Sequence, residues 1–194
     1  MANVNAPFGF RPVCHIDGAV WNAQLRPYQV DPASATAIFK GDPVAYNSNG
    51  YVEKMTAGTG QILGIAWGAE YTPAPPGIIP FNASWPGSGN FSATSPITIS
   101  VIVDPTVIFE VQAGASNIAK TSENLNVQFN AGTGNTSSGV SGAYVESPAV
   151  TATLPFRVVG QFDGPGNGSD QTSAYNIVQV VMNNSTLKNT TGVA

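Results

Sequence analysis

Along most of the chain, apolar and polar residues alternate in short runs broken by turn residues. Ile97, Ile99, Val101 and Val103 share one face of a run whose other face carries Thr98, Ser100 and Asp104. That period of two is the mark of a half-covered strand. After Asp104-Pro105-Thr106 the pattern resumes with Val107, Phe109 and Val111 opposed by Glu110 and Gln112. Leu154, Phe156, Val158 and Phe162 alternate with Arg157, Val159 and Gln161, and Val178, Val180 and Met182 join Asn176 on one face of a final run, with Gln179 and Asn183 outward. Val101, Val103, Phe109, Val111, Phe156, Val158, Val178 and Val180 are the predicted core. Gln61 to Trp67 is apolar on both faces, as expected of a strand covered on both sides.

Turn chemistry separates these runs. Asn47-Ser48-Asn49-Gly50 reads as a hairpin connection between Val44-Ala45-Tyr46 and Tyr51 to Met55, because Asn and Gly tolerate positive φ. Thr56 to Gly60 is a second turn. Residues 116–124 are predicted to form one or two helical turns with Ser116 as N-cap. The Gly/Ser/Thr/Asn-rich stretch 130–142 is expected to be mobile or interfacial, and the polar tail 185–194 to fray.

Two segments break the alternation. The first 30 residues open with Ala6-Pro7-Phe8-Gly9-Phe10-Arg11-Pro12-Val13, and Pro7 and Pro12 hold this stretch extended. It is either a first strand laid on its own sheet or an arm that reaches across an assembly. As an arm over residues 1–30, its anchors are Phe8, Phe10, Val13 and Trp21, with Arg11 available to a partner's carboxylate. The second is residues 71–96, where Pro73, Pro75, Pro76, Pro80, Pro86 and Pro96 make ladder pairing hard to sustain, apart from a short hairpin around residues 78–81. Ile78, Ile79, Phe81, Trp85 and Phe91 make this excursion too apolar for a free linker, so it is expected to dock on another chain, within a homo-oligomer.

About eight strands with little helix predict an all-β domain over residues 31–184, a single β-sandwich or barrel, with a jelly roll fitting the count. Composition agrees. Charged residues are 9% of the 194-residue chain, against roughly 25% in ordinary domains, and long helices would need more of them on their wet faces. With a formal charge of −4 and scattered basic residues, nucleic acid is not an expected ligand. No run approaches a membrane span, and the N-terminus has neither the basic nor the apolar region of a signal peptide, so use without secretion is expected. The sequons at Asn82, Asn90, Asn135, Asn167, Asn183, Asn184 and Asn189 then read as by-products of polar loops.

Candidate chemistry is sparse. Cys14 and His15 are the only thiol and imidazole, and as strand neighbours they point to opposite faces, which argues against a nucleophile–base pair. The ligands for zinc are missing. Glycoside hydrolysis needs two flanking carboxylates; Glu110 is the best-placed acid, with Glu53, Glu70 and Glu146 in reserve, and all look like solvated strand positions. The Asp163–Asp170 loop concentrates oxygens suited to calcium, yet its spacing does not match the twelve-residue site and it reads as a turn. No enzyme activity and no cofactor are expected.

The residues quoted from Ala6 to Val13 resemble the opening of capsid decoration (cement) proteins of tailed bacteriophages. Thr36-Ala37-Ile38-Phe39-Lys40-Gly41-Asp42-Pro43-Val44, Gln61 to Ile65, Val103-Asp104-Pro105 with Val107 to Gln112, Leu154 to Gly160 and Ile177 to Asn184 are similar in the same order. The resemblance covers most of the chain outside residues 72–96. It implies a structural protein on the outer face of an icosahedral head, made in the host bacterial cytoplasm, bound to the major capsid protein and stabilising the shell. The alternative is a carbohydrate-binding or adhesive β-sandwich stacking a glycan on Trp67, Trp85 or nearby tyrosines.

Overall fold

The computed structural model describes residues 2–56, 60–72, 81–89 and 96–188. In chain order its strands are β1 (Arg11–His15), β2 (Arg26–Gln29), β3 (Ile38–Phe39), β4 (Pro43–Tyr46), β5 (Val52–Lys54), β6 (Gly64–Glu70) and β7 (Phe81–Asn82). They continue with β8 (Ser84–Trp85), β9 (Thr98–Ile102), β10 (Val107–Gln112), β11 (Asn126–Asn130), β12 (Tyr144–Ala149), β13 (Phe156–Gln161) and β14 (Ile177–Met182). One antiparallel sheet has the order β1-β10-β14-β13-β11-β12. A second runs β2-β9-β6-β4-β5 with β7 beside β6, and β3 and β8 form a small separate pair. The fold is all-β and sandwich-like. Neither sheet closes on itself, so the barrel alternative is not realised.

Two apolar clusters show why. The larger lies between the two sheets: Val107, Phe109, Val111, Val127, Phe129, Val145, Phe156, Val158, Val178 and Val180 from the first sheet meet Ile65 and Ile102 from the second. The smaller covers the opposite face of the second sheet, where Leu63, Ala66, Ala69, Ile97, Ile99 and Val101 pack with Ile38 and Trp85 of the small pair. The second sheet is therefore an inner layer. Strand β6 accounts for this directly, with Ile65 in one cluster and Ala66 and Ala69 in the other. The expectation of a strand covered on both faces holds. Seven of the predicted core residues are fully buried, and Val103 is half-buried against the smaller cluster.

The chain passes from the inner sheet to the outer one at the Asp104 turn. Thr106 donates both its backbone N–H and its hydroxyl to Asp104 Oδ1, at 2.8 and 2.7 Å. His15 Nδ1 lies 3.1 Å from the same hydroxyl and 3.5 Å from Asp104 Oδ2. Burial pushes the Asp104 carboxyl up, but the Thr106 donors, His15 and Lys188 together outweigh it and leave the carboxyl below its ordinary value.

The edges of both sheets share a feature. Among the described residues, of the four strands that end the two strand orders, β1 carries Pro12, β2 carries Pro27 and β12 carries Pro148, while β5 is three residues long with Glu53 and Lys54 in it. Proline has no N–H to offer, which suits it to such positions.

Several expectations need correction. Residues 1–30 are not an arm separate from a domain beginning at 31: β1 pairs with β10 and β2 with β9. The excursion 71–96 is partly sheet, since β7 pairs with β6 and β8 with β3. In 116–124 the only helical turn is a three-residue 3-10 segment, Lys120–Ser122, preceded by Ala119 with no side-chain cap. The mobile alternative for 130–142 is not realised, because Lys40 N–H donates to Gly139 O and Ser141 N–H to Lys40 O, each at 2.9 Å. Of the tail expected to fray, Ser185 is buried and Thr186 N–H donates to Ile62 O at 2.8 Å, while residues 189–194 lie outside the described residues.

Candidate functional site

The N-terminal segment was expected to carry the contact residues, and its path decides what they can do. Asn3 is held inside the 163–176 loop. Its side-chain amide donates to Asp170 O (2.8 Å) and Ala174 O (3.1 Å), and its Oδ1 accepts from the N–H groups of Gly168 and Asp170. Val4 N–H donates to Asn167 Oδ1. Gln112, 1% exposed, then grips the chain from below. Its Oε1 accepts Ala6 N–H at 2.9 Å, and its Nε2 donates to Val4 O and Tyr175 O. The oxygen-rich loop thus binds the protein's own N-terminus. Asp170 sits there with its carboxyl lowered to about 2 by the hydroxyls of Ser173 and Thr172 and the Thr172 N–H.

Downstream, the segment enters the core. Phe10 is fully buried, stacked on Phe156 with ring centroids 4.2 Å apart and 18° between planes, and edge-on to Phe109 and Phe129. Its N–H donates to Gly41 O at 3.0 Å. Gly9 before it has φ +73°, and a Cβ there would lie 2.6 Å from Ser141 Cβ and 2.8 Å from Gly41 O. Only glycine fits this approach. Neighbouring Asp42 is completely buried: its carboxylate accepts the Phe39 N–H (2.8 Å) and the Ser141 hydroxyl (2.5 Å) and pairs with Lys54 Nζ at 3.1 Å.

The predicted contact residues therefore scatter. Phe10 and Trp85 are fully buried in the protein's own clusters and present nothing to a partner. Phe8 is half-buried, and Val13 is 40% exposed. Phe81 is 59% exposed with its ring seated over Gly68, where any Cβ would collide with it. Ile78, Ile79 and Phe91 lie outside the described residues. Arg11 pairs with Glu110 of its own chain at 2.6 Å, and the Glu110 side chain is only 10% exposed. Glu110 is thus no solvated strand acid, since the guanidinium of the adjacent edge strand covers it.

What the structure does bring together is Phe8, Arg11, Lys40, Trp67 and Trp21. Arg11 lies 4.9 Å from the Phe8 ring centroid, Lys40 Nζ lies 4.1 Å from that of Trp67, and Trp21 meets Trp67 edge-on at 5.4 Å. Phe8, Arg11, Lys40, Gly41, Trp67 and Val140 line a half-open hollow of about 200 Å³. Sequence reasoning named Phe8, Arg11 and Trp21 but not Lys40, which sits 29 residues from Arg11 in the chain. The Phe-Lys-Gly-Asp turn was the available signal.

Comparisons with family models, with curated proteins and with solved structures found no match. Among the described residues, no three His, Cys, Asp or Glu side chains gather as a metal site. Glu110 is committed to Arg11 and Asp42 to Lys54. Cys14 is a free, half-buried thiol, and His15 turns to Asp104 and Thr106.

Proposed function

We propose that this chain is a capsid decoration protein of a tailed bacteriophage, a non-enzymatic β-protein that binds the outer face of the major capsid protein shell and stabilises the head. One observation carries the reading. The segments that resemble decoration proteins, far apart in the chain, interlock in space: Phe10 stacks on Phe156 and meets Phe109, its N–H bonds Gly41 O, and Arg11 pairs with Glu110. That these segments depend on each other physically supports reading the resemblance as one set. In this reading they build the scaffold, and attachment falls to the exposed side chains around it, among them Val13 (40%), Ile16 (61%) and Val20 (82%) on β1 and the loop after it. The glycan alternative loses one of its two tryptophan platforms, because Trp85 is buried.

The test is co-sedimentation of the purified protein with shells assembled from the major capsid protein encoded in the same genome. Saturable binding, with shells that melt at a higher temperature when decorated, is the expected result. Protein that stays in the supernatant at every concentration overturns the reading. The same sedimentation run on free protein tests the expected homo-oligomer.

A further inference from the structure

The cavity beside Phe8 has a chemistry that the fold does not require. Two cations border it, and only one is neutralised: Arg11 has Glu110, whereas among the described residues no carboxylate lies within ion-pair distance of Lys40. Lys40 instead rests over the Trp67 ring. A cation held against an aromatic face keeps its N–H donors for a further acceptor. Arg11 also has donors left, since a single guanidinium nitrogen serves Glu110 and the group carries five N–H. The result is one uncompensated positive charge, in a half-open recess, on a chain whose net charge is −4.

Size narrows the occupant. Small-molecule sites span roughly 300–1,000 Å³, and this cavity of about 200 Å³ is smaller. It matches a single side chain projecting from a protein surface. The planar guanidinium over Phe8 favours a planar anion, as carboxylates are.

We infer that the Phe8–Arg11–Lys40–Trp67 recess is a docking pocket for one acidic side chain, Asp or Glu, of a protein partner. The inference rests on the decoration reading only in taking the partner to be a protein. Lys40 supplies the charge, Arg11 the remaining directional donors, and the Phe8 and Trp67 rings wall one side of the pair, which reduces its screening by water.

The probe is the blocked peptide Ac-Gly-Glu-Gly-NH2, titrated into the full chain while the tryptophan indole N–H resonances are followed by NMR. Trp67→Phe assigns the reporting signal, and buried Trp85 is the internal control. The Trp67 signal should move saturably with the Glu peptide. Binding should be at least about tenfold weaker with Ac-Gly-Gln-Gly-NH2 and in Lys40→Met, which keeps the apolar stem over Trp67. It should also weaken as salt is added. An equal response to the Gln peptide, no response, or an undiminished response in Lys40→Met overturns the inference. Tighter binding of inorganic phosphate than of the Glu peptide also overturns it, by assigning the pocket to phosphate esters. Shell sedimentation separates the two readings. If the peptide binds and shells do not, the pocket stands and the decoration reading falls. If shells bind wild type and Lys40→Met equally, the pocket falls and the decoration reading stands.

Discussion

Replacing Phe10 with alanine asks whether the N-terminal segment is cargo or core. Its ring has no exposed surface, stacks on Phe156 at 4.2 Å, and meets Phe109 and Phe129 edge-on at 6.5 and 6.3 Å. Truncating a buried Phe to Ala costs about 3–5 kcal/mol, including the cavity left behind. The upper half of that range applies here for two reasons. Aromatic pairs contribute roughly 0.5–1.5 kcal/mol beyond their area, and this ring belongs to three. The backbone also cannot close over the void, because Gly9 is already wedged against Ser141 and the Gly41 carbonyl. For a chain of this length each kcal/mol shifts the melting point by about 2–4 °C, so a fall of roughly 8–20 °C is expected. Thermal melts read this fall, and urea unfolding followed by near-UV circular dichroism reads the free-energy loss, with Val20→Ala, 82% exposed, as a control expected within about 0.5 kcal/mol of wild type. Deleting residues 1–13 removes Phe10 and the start of β1 together and should abolish cooperative unfolding. A Phe10→Ala loss under about 1 kcal/mol with an unchanged denaturant slope would refute the reasoning, since such losses belong to surface positions.

Two further predictions follow from buried and capped carboxylates. Lys54→Met removes the lysine paired with fully buried Asp42 and should destabilise the fold by about 3–5 kcal/mol; Asp42→Asn combined with it should recover part of that loss in a double-mutant cycle. Asp170, with its carboxyl at about 2 in the folded state, contributes stability that is fully present above the ordinary carboxylate value near 3.8 and is lost as pH falls toward 2. Thermal melts between those limits should therefore show a shallower acid decline in Asp170→Asn than in wild type, and parallel declines would remove Asp170 from that limb.

The strands were legible because one-sided burial writes itself as alternation. Ile97, Ile99 and Val101 share a cluster, as their spacing predicts, and the doubly apolar Gln61–Trp67 run points to the inner sheet. Hydrophobicity alone does not say whose surface a residue covers, and so Phe10 read equally well as a partner's anchor and as core. Glu110 alternates like a wet position, yet an arginine 99 residues earlier shields it. Asp42 sits in a Gly-Asp-Pro turn, and nothing local announces that Ser141, another 99 residues on, makes its full burial tolerable. The Lys40–Trp67 contact is hidden for the same reason, since it joins a turn to a strand across a sheet. Fold class lives in local periodicity, whereas the pocket exists only in long-range pairing.

The prolines on the outer strands bear on how copies of this molecule coexist. An open strand edge invites another edge, and extended sheets grown this way lead to fibres rather than closed particles. Pro12, Pro27 and Pro148 each break the row of donors such growth would use, the β5 edge is short and charged, and β7, β3 and β8 are two residues long. The chain has few charges with which to repel its neighbours. Backbone geometry takes over that duty, so the protein can be concentrated without templating its own aggregation. On the decoration reading proposed above, the shell would be gripped by side chains rather than by an added strand.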